Sequence, residues 1–112
     1  MTMIDDIEQI RGRVSLGMAH LDEKYPGHEH RVNLDTLDVG SAWACPLAQA
    51  TRQSYEVAIW NEHGMDLSTG ERDWSAARGF IWPRHCAYEL GAINAAWRRA
   101  YRVRLARTAQ KE

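Results

Sequence analysis

Ile4, Ile7, Ile10, Val14, Met18, Leu21 and Tyr25 follow one another at steps of three and four residues. Such spacing brings every one of these side chains to a single stripe of an α-helix and excludes a strand, whose faces alternate every second residue. Thr2 is placed to cap the helix start, and Asp5, Asp6 and Glu8 stand where the helix dipole favours negative charge. Pro26-Gly27 stops it, so the first predicted helix covers residues 3–25. A stripe of this length is stable only when covered, which sets the task for the rest of the chain.

A second helix is predicted over residues 46–63, starting on Pro46, which has no N–H to lose at a first helical position, and stopping at Gly64. Leu47, Ala50, Ser54, Val57 and Ala58 form a small-residue side, while Tyr55, Ile59 and Trp60 carry apolar character further round. A helix apolar over most of its circumference is expected to be the central, buried one. Ser68-Thr69-Gly70-Glu71 has the capping-box pattern and opens a short helix over residues 70–78, closed by Gly79. Phe80-Ile81-Trp82 is an apolar anchor, and a last helix over residues 83–107 buries Cys86, Leu90, Ile93, Trp97 and Tyr101.

Between the first and second helices, the connector that runs from Asn33 up to Cys45 has too short a regular run for a helix or a strand. Leu34, Leu37 and Val39 alternate loosely with Asp35 and Asp38. Leucines pinned into a core and aspartates tying turns make an ordered connector. The expected fold is all-α: a single small domain spanning residues 1–112, of about four helices with a long ordered connector between the first two. At 112 residues it is one domain, large enough for a real core.

The net charge of −1 removes any whole-molecule attraction to nucleic acid or to a membrane surface. The acidic N-terminus is not that of a signal peptide, and no stretch approaches the ~20 apolar residues of a membrane span. Two cysteines suit reduced thiols in a cytoplasm better than a disulfide framework. Five tryptophans against one phenylalanine is the unusual ratio, and core filling is the reading for most of them.

Catalytic and metal-binding constellations are thin. His28-Glu29-His30 could aim two imidazoles at one metal from an extended loop, with Cys45, Cys86, His85 or His20 completing the set, but the spacing matches no zinc pattern and a polar loop explains it as well. Cys45 and Cys86 fall near helix starts, where a thiol can be activated, yet both lie on or beside apolar stripes and read as buried small hydrophobes. Asp22, Glu23, Asp35 and Asp38 have no accompanying third group, oxyanion donor or phosphate loop. No cofactor and no enzymatic activity are expected.

The asymmetric signal is charge. From residue 84 onward Arg84, Arg98, Arg99, Arg102, Arg104, Arg107 and Lys111 face only Glu89 and Glu112. Arg98, Arg99 and Arg102 lie away from the buried stripe and read as solvated. Helical periodicity returns Arg104, Arg107 and Lys111 towards the stripe, so the basic end at residues 104–112 either projects from the body or is covered by an acidic surface, such as Asp5, Asp6 and Glu8 of a second copy. Leu16, beside Gly12 and Ala19 on the far side of the first helix, is either a lone exposed leucine or the centre of a shallow contact face. These seven, Leu16 and the basic residues from Arg98 to Lys111 just named, are the candidate interaction residues.

Four local patterns also carry a resemblance: Leu21-Asp22-Glu23 with Pro26-Gly27; Asn33-Leu34-Asp35-Thr36-Leu37-Asp38; Cys45-Pro46-Leu47-Ala48-Gln49; and Tyr88-Glu89-Leu90 leading into Ala96-Trp97-Arg98. In this order the chain resembles a group of small proteins of actinobacteriophages and actinobacterial genomes. The resemblance implies a shared fold and a phage-type setting, and it implies no activity. Together with the absence of a catalytic pattern it points to an accessory protein acting by protein–protein binding on a host or phage protein, possible homo-oligomerisation included. Nucleic-acid binding through the basic last helix is the alternative.

Overall fold

The computed structural model of the chain describes residues 3–63, 74–81 and 87–111. Among them are four α-helices and no strand: α1 Met3–Lys24, α2 Pro46–Thr51, α3 Tyr55–His63 and α4 Ala87–Lys111. A 3₁₀ turn, His28–His30, follows α1, and residues 74–77 form one further helical turn. The all-α expectation holds. Thr2, Gly64, the capping box at 68–71, Trp82, Pro83, His85 and Cys86 lie outside the described residues, as do the side chains of Asp5, Asp6 and Lys111.

The middle of the α1 stripe is buried as its spacing requires: Ile10, Val14, Met18 and Leu21 enter the core, where Ile93, Trp97 and Tyr101 of α4 meet them, while Ile7 and Tyr25 are half-buried and the Ile4 side chain lies outside those described. α1 and α4 share the most extensive of the interhelical contacts. Gly17 faces Trp97, and five residues further on Asp22 bonds Arg104. Contacts that advance together along both helices mean that α1 and α4 run side by side in the same direction. Gly17 is what permits the approach, because a Cβ there would meet the Trp97 ring at 2.7 and 2.8 Å and overlap the Arg78 carbonyl oxygen. The indole N–H of Trp97 donates to the Gly79 carbonyl at 2.8 Å, and Gly79 turns the chain with a φ of 69°.

The predicted second helix is two helices. After Thr51 the chain passes through Arg52 in the left-handed region (φ 59°), and the Gln53 N–H closes on the Ala48 carbonyl in the manner of a Schellman end. Ser54 then caps α3 by accepting from the Val57 N–H. The expected burial of the whole circumference fails with it: Ala58 and Ile59 are buried, but Val57 and Trp60 face out. At the start of α2 the prediction holds, with Pro46 at the first position and the Cys45 sulfur accepting from the Ala48 N–H.

The connector is ordered by side chains from both flanks. Asn94 of α4 accepts from the Val39 N–H at 2.7 Å and donates to Asp38, whose carboxylate also accepts from Gly40. Gln49 of α2 bonds both the N–H and the carbonyl of Asn33. Leu37 and Val39 are buried, while Leu34 is only half-buried.

Candidate functional site

Among the described residues, two polar assemblies and one groove are where chemistry could occur. The first assembly is centred on His28, expected in a polar loop and found fully buried. Its turn folds back under α4, so Nδ1 lies 2.8 Å from the Tyr101 hydroxyl and Nε2 lies 2.9 Å from an Asp22 carboxylate oxygen. Arg104 grips the same carboxylate with two bonds, of 2.6 and 2.8 Å. That guanidinium is the main cause of an Asp22 carboxyl held below its ordinary range, with the His28 bond assisting against partial burial. An ionised Asp22 can only accept, so Nε2 carries the hydrogen, and the network assigns Nδ1 to accept the Tyr101 hydroxyl proton in the neutral ring.

A carboxylate, an imidazole and a hydroxyl in series are the parts of a nucleophilic relay. Here Asp22 is open to solvent, but the imidazole and the hydroxyl are sealed. Tyr101 is fully buried, and burial pushes its phenol up, away from the phenolate a nucleophile would need. Rings continue the series inward, from His28 to Tyr101 at 5.4 Å, then Trp97 at 5.9 Å and Phe80 at a further 5.9 Å. The arrangement fastens the turn after α1 to α4.

The second assembly joins α1 to α3. One Glu62 oxygen lies 2.8 Å from His20 Nε2 and accepts from the Tyr25 hydroxyl, also at 2.8 Å, while the His20 ring sits edge-on to Trp74 at 4.8 Å. Desolvation, with Glu62 beside it, drives the Tyr25 phenol upwards. Cys45 is a free, buried thiol whose pKa is pushed up to about 11 by burial, which outweighs the bonds from the start of α2.

The groove lies between α1 and α4, with the core residues Val14 and Met18 reaching its floor. It encloses about 470 Å³. Val14, Met18, Ala19, Ala96, Ala100 and Val103 line it with apolar surface, and Arg11, Arg99, Arg104 and Arg107 stand among them. Its lining on α4 advances by threes and fours, the signature of one helix face. A smaller hollow of about 230 Å³ prolongs it towards Ile7 and Ala92, sharing Arg11, Ala96 and Arg99 with the main groove. Small side chains on facing helices leave this channel open.

No family model, curated protein or solved structure matches the chain.

The candidate interaction residues therefore part company. Arg99 and Arg107 are exposed and line the groove. Arg102 is exposed outside its lining. Arg98, read as solvated, is half-buried and donates to the Leu34 carbonyl at 3.1 Å and the Leu37 carbonyl at 2.8 Å. It is corrected to a structural anchor, because the connector wraps the flank of α4 and its carbonyls need donors. Arg104 is likewise corrected: α4 stays on the body beyond Tyr101, since Asp22 of the same chain supplies the acidic cover. Lys111 continues α4, its side chain outside those described. Leu16 is 57% exposed and does not line the groove.

The His28/His30 metal pair does not form, because His28 is buried with both nitrogens engaged and His30 is exposed. Among the described residues no three His, Cys, Asp or Glu side chains converge on a metal position. No described helix is long and apolar enough to cross a membrane. Trp43 is an exception to the core-filling reading of the tryptophans, at 72% exposed. Arg11 and the alanine face of α4 were not among the candidates; alanines at 92, 96 and 100 flanking Arg99 were the available signal.

Proposed function

We propose that this chain is a non-catalytic accessory protein that modulates a phage or host protein by holding it against its surface, within a bacterial host's cytoplasm. The observation that supports this reading is the α1/α4 groove, where an apolar floor and an arginine rim occur together. Arginine and desolvated apolar surface are the usual components of protein-binding centres. The burial of His28 and of the Tyr101 hydroxyl in the Asp22–His28–Tyr101 series speaks against catalysis there. Its resemblance to small actinobacteriophage proteins is consistent with an accessory role.

Nucleic-acid binding is the second reading, favoured by the exposed Arg99, Arg102 and Arg107 along one helix. Phosphate binding needs a basic field, and a net charge of −1 opposes it. Two experiments separate the readings. A photo-crosslinker at Val103, in the groove, should capture a protein from host lysate that the same crosslinker at Arg52 does not. A gel-shift titration with duplex DNA should show no retardation. Retardation that falls steeply with salt and is lost in Arg99→Glu would overturn the proposal in favour of phosphate binding.

A further inference from the structure

We infer that the occupant of the α1/α4 groove is an acidic amphipathic α-helix of about four turns, presented by a partner protein. This rests on the protein-binding reading above and names the partner's chemistry.

Length comes first. The continuous lining runs from Ile7 to Asp22 on α1 and from Ala92 to Arg107 on α4. Each wall thus advances by the same number of residues, and at 1.5 Å per residue each is ~22 Å long. That is the length of a helix of about fifteen residues lying along the channel. Two parallel helical walls with small residues between them offer a third helix the ridges and grooves it packs against, whereas a β-strand would find no sheet edge to join among the described residues.

Charge comes second. Four arginines line the main groove, but they are not equivalent. Arg104 is committed to Asp22 through two short bonds. Arg11, Arg99 and Arg107 are exposed at the rim. Arg11 and Arg99 belong to both hollows, so they flank the middle of the channel from opposite walls, and Arg107 stands two turns further along. The complement is a helix with carboxylates on both flanks of an apolar stripe, its leucine-sized side chains over Ala96, Ala100 and Val103. Guanidinium groups favour carboxylates because two parallel N–H donors match the two oxygens. Asp22 repels an acidic occupant only weakly, being already neutralised by Arg104.

The test uses a fluorescein-labelled designed peptide of about sixteen residues, with leucines at i, i+3, i+4 and i+7 and glutamates on the flanks, and its twin with lysines in place of glutamates. Fluorescence anisotropy with the full chain should show saturable binding of the acidic peptide, and at least about tenfold weaker binding of the lysine peptide. Arg99→Glu and Arg11→Glu should each weaken the acidic peptide about tenfold or more and improve the lysine peptide. Val103→Asp, at an exposed floor position, should do the former, and Arg52→Glu, remote from the groove, should do neither. Thermal melts confirm that each variant is folded. No saturable binding of the acidic peptide overturns the inference, as does binding that ignores the groove variants. Equal binding of both peptides, still lost in Val103→Asp, refutes the acidic class and leaves protein docking standing. Failure of both peptides together with salt-sensitive retardation of duplex DNA removes the protein-binding reading as well.

Discussion

Replacing a glycine by alanine inside a helix ordinarily stabilises it by up to about 1 kcal/mol, since alanine has less backbone freedom to lose. α1 offers the same substitution in two opposite environments. Around Gly12 an added Cβ meets nothing within 4 Å, and the position is exposed. Gly17 is buried, and its Cβ would lie 2.7 and 2.8 Å from two carbons of the Trp97 ring while overlapping the Arg78 carbonyl oxygen. Neither neighbour can yield cheaply. The carbonyl belongs to a turn closed by Arg78 and Phe80 N–H bonds to Ser75, and the indole is fixed by its own bond to Gly79 and by stacking on Phe80 and Tyr101. The remaining response is for α1 to lift away, which loosens Val14, Met18 and Leu21 together. Overpacking of this kind costs about 1–3 kcal/mol or more, so even after the helix-propensity gain Gly17→Ala should lose about 2 kcal/mol. For a chain of this size 1 kcal/mol corresponds to roughly 4 °C. Circular-dichroism melts with parallel urea titrations should therefore place Gly12→Ala up to about 4 °C above the parent and Gly17→Ala about 8 °C below it. A Gly17→Ala protein that melts at or above the parent would refute the close approach of α1 to Trp97.

Arg98→Ala should cost about 2 kcal/mol and speed amide exchange across residues 33–40, because two connector carbonyls lose a charged donor; its neighbour Arg99→Ala should stay within about 0.5 kcal/mol of the parent. Asp22 has a depressed pKa, so its pairing stabilises the fold above about pH 4 and fades as pH falls through the native value. Stability curves of the parent and Arg104→Ala should accordingly be separated at neutral pH and converge in acid, and curves that stay parallel would contradict the Arg104–Asp22 account. In a Cys86→Ser chain, Cys45 should resist iodoacetamide at about pH 8 until the protein unfolds, since burial holds the thiol up to about 11. Alkylation of the native protein at the rate of a free thiol would place Cys45 outside the core.

Periodicity located α1 and the buried stripe of α4 because those helices use one face for the core, and a one-faced helix writes its burial into its spacing. Where side chains serve distant backbone, the pattern is silent. Arg98 points away from the stripe on any helical wheel, and only the path of the connector shows that two carbonyls await it. His28 stands among polar neighbours, yet the partner that makes its burial tolerable lies 73 residues away. Arg52 gave no sign of the helix break, because the left-handed conformation is normally signalled by glycine or asparagine; Ser54, a competent cap, was the legible half of that junction. The groove needed both helices at once. Alanines on α4 and Ser15 and Ala19 on α1 are ordinary in isolation, and they make a channel only because the helices run parallel.

That parallel pairing also governs when the protein can fold. α1 is synthesised first, but its apolar stripe finds Trp97 and Tyr101 only after the connector, α2, α3 and most of α4 have been made. The bonds that close the structure, Asp22 to Arg104 and His28 to Tyr101, span 82 and 73 residues. Contacts so distant along the chain are slow to form and reward nothing until the loop between them is closed. On the ribosome, then, the α1 segment waits with its apolar residues uncovered for the greater part of synthesis, and chains halted before Arg104 would be left with that stripe exposed to aggregation or to degradation.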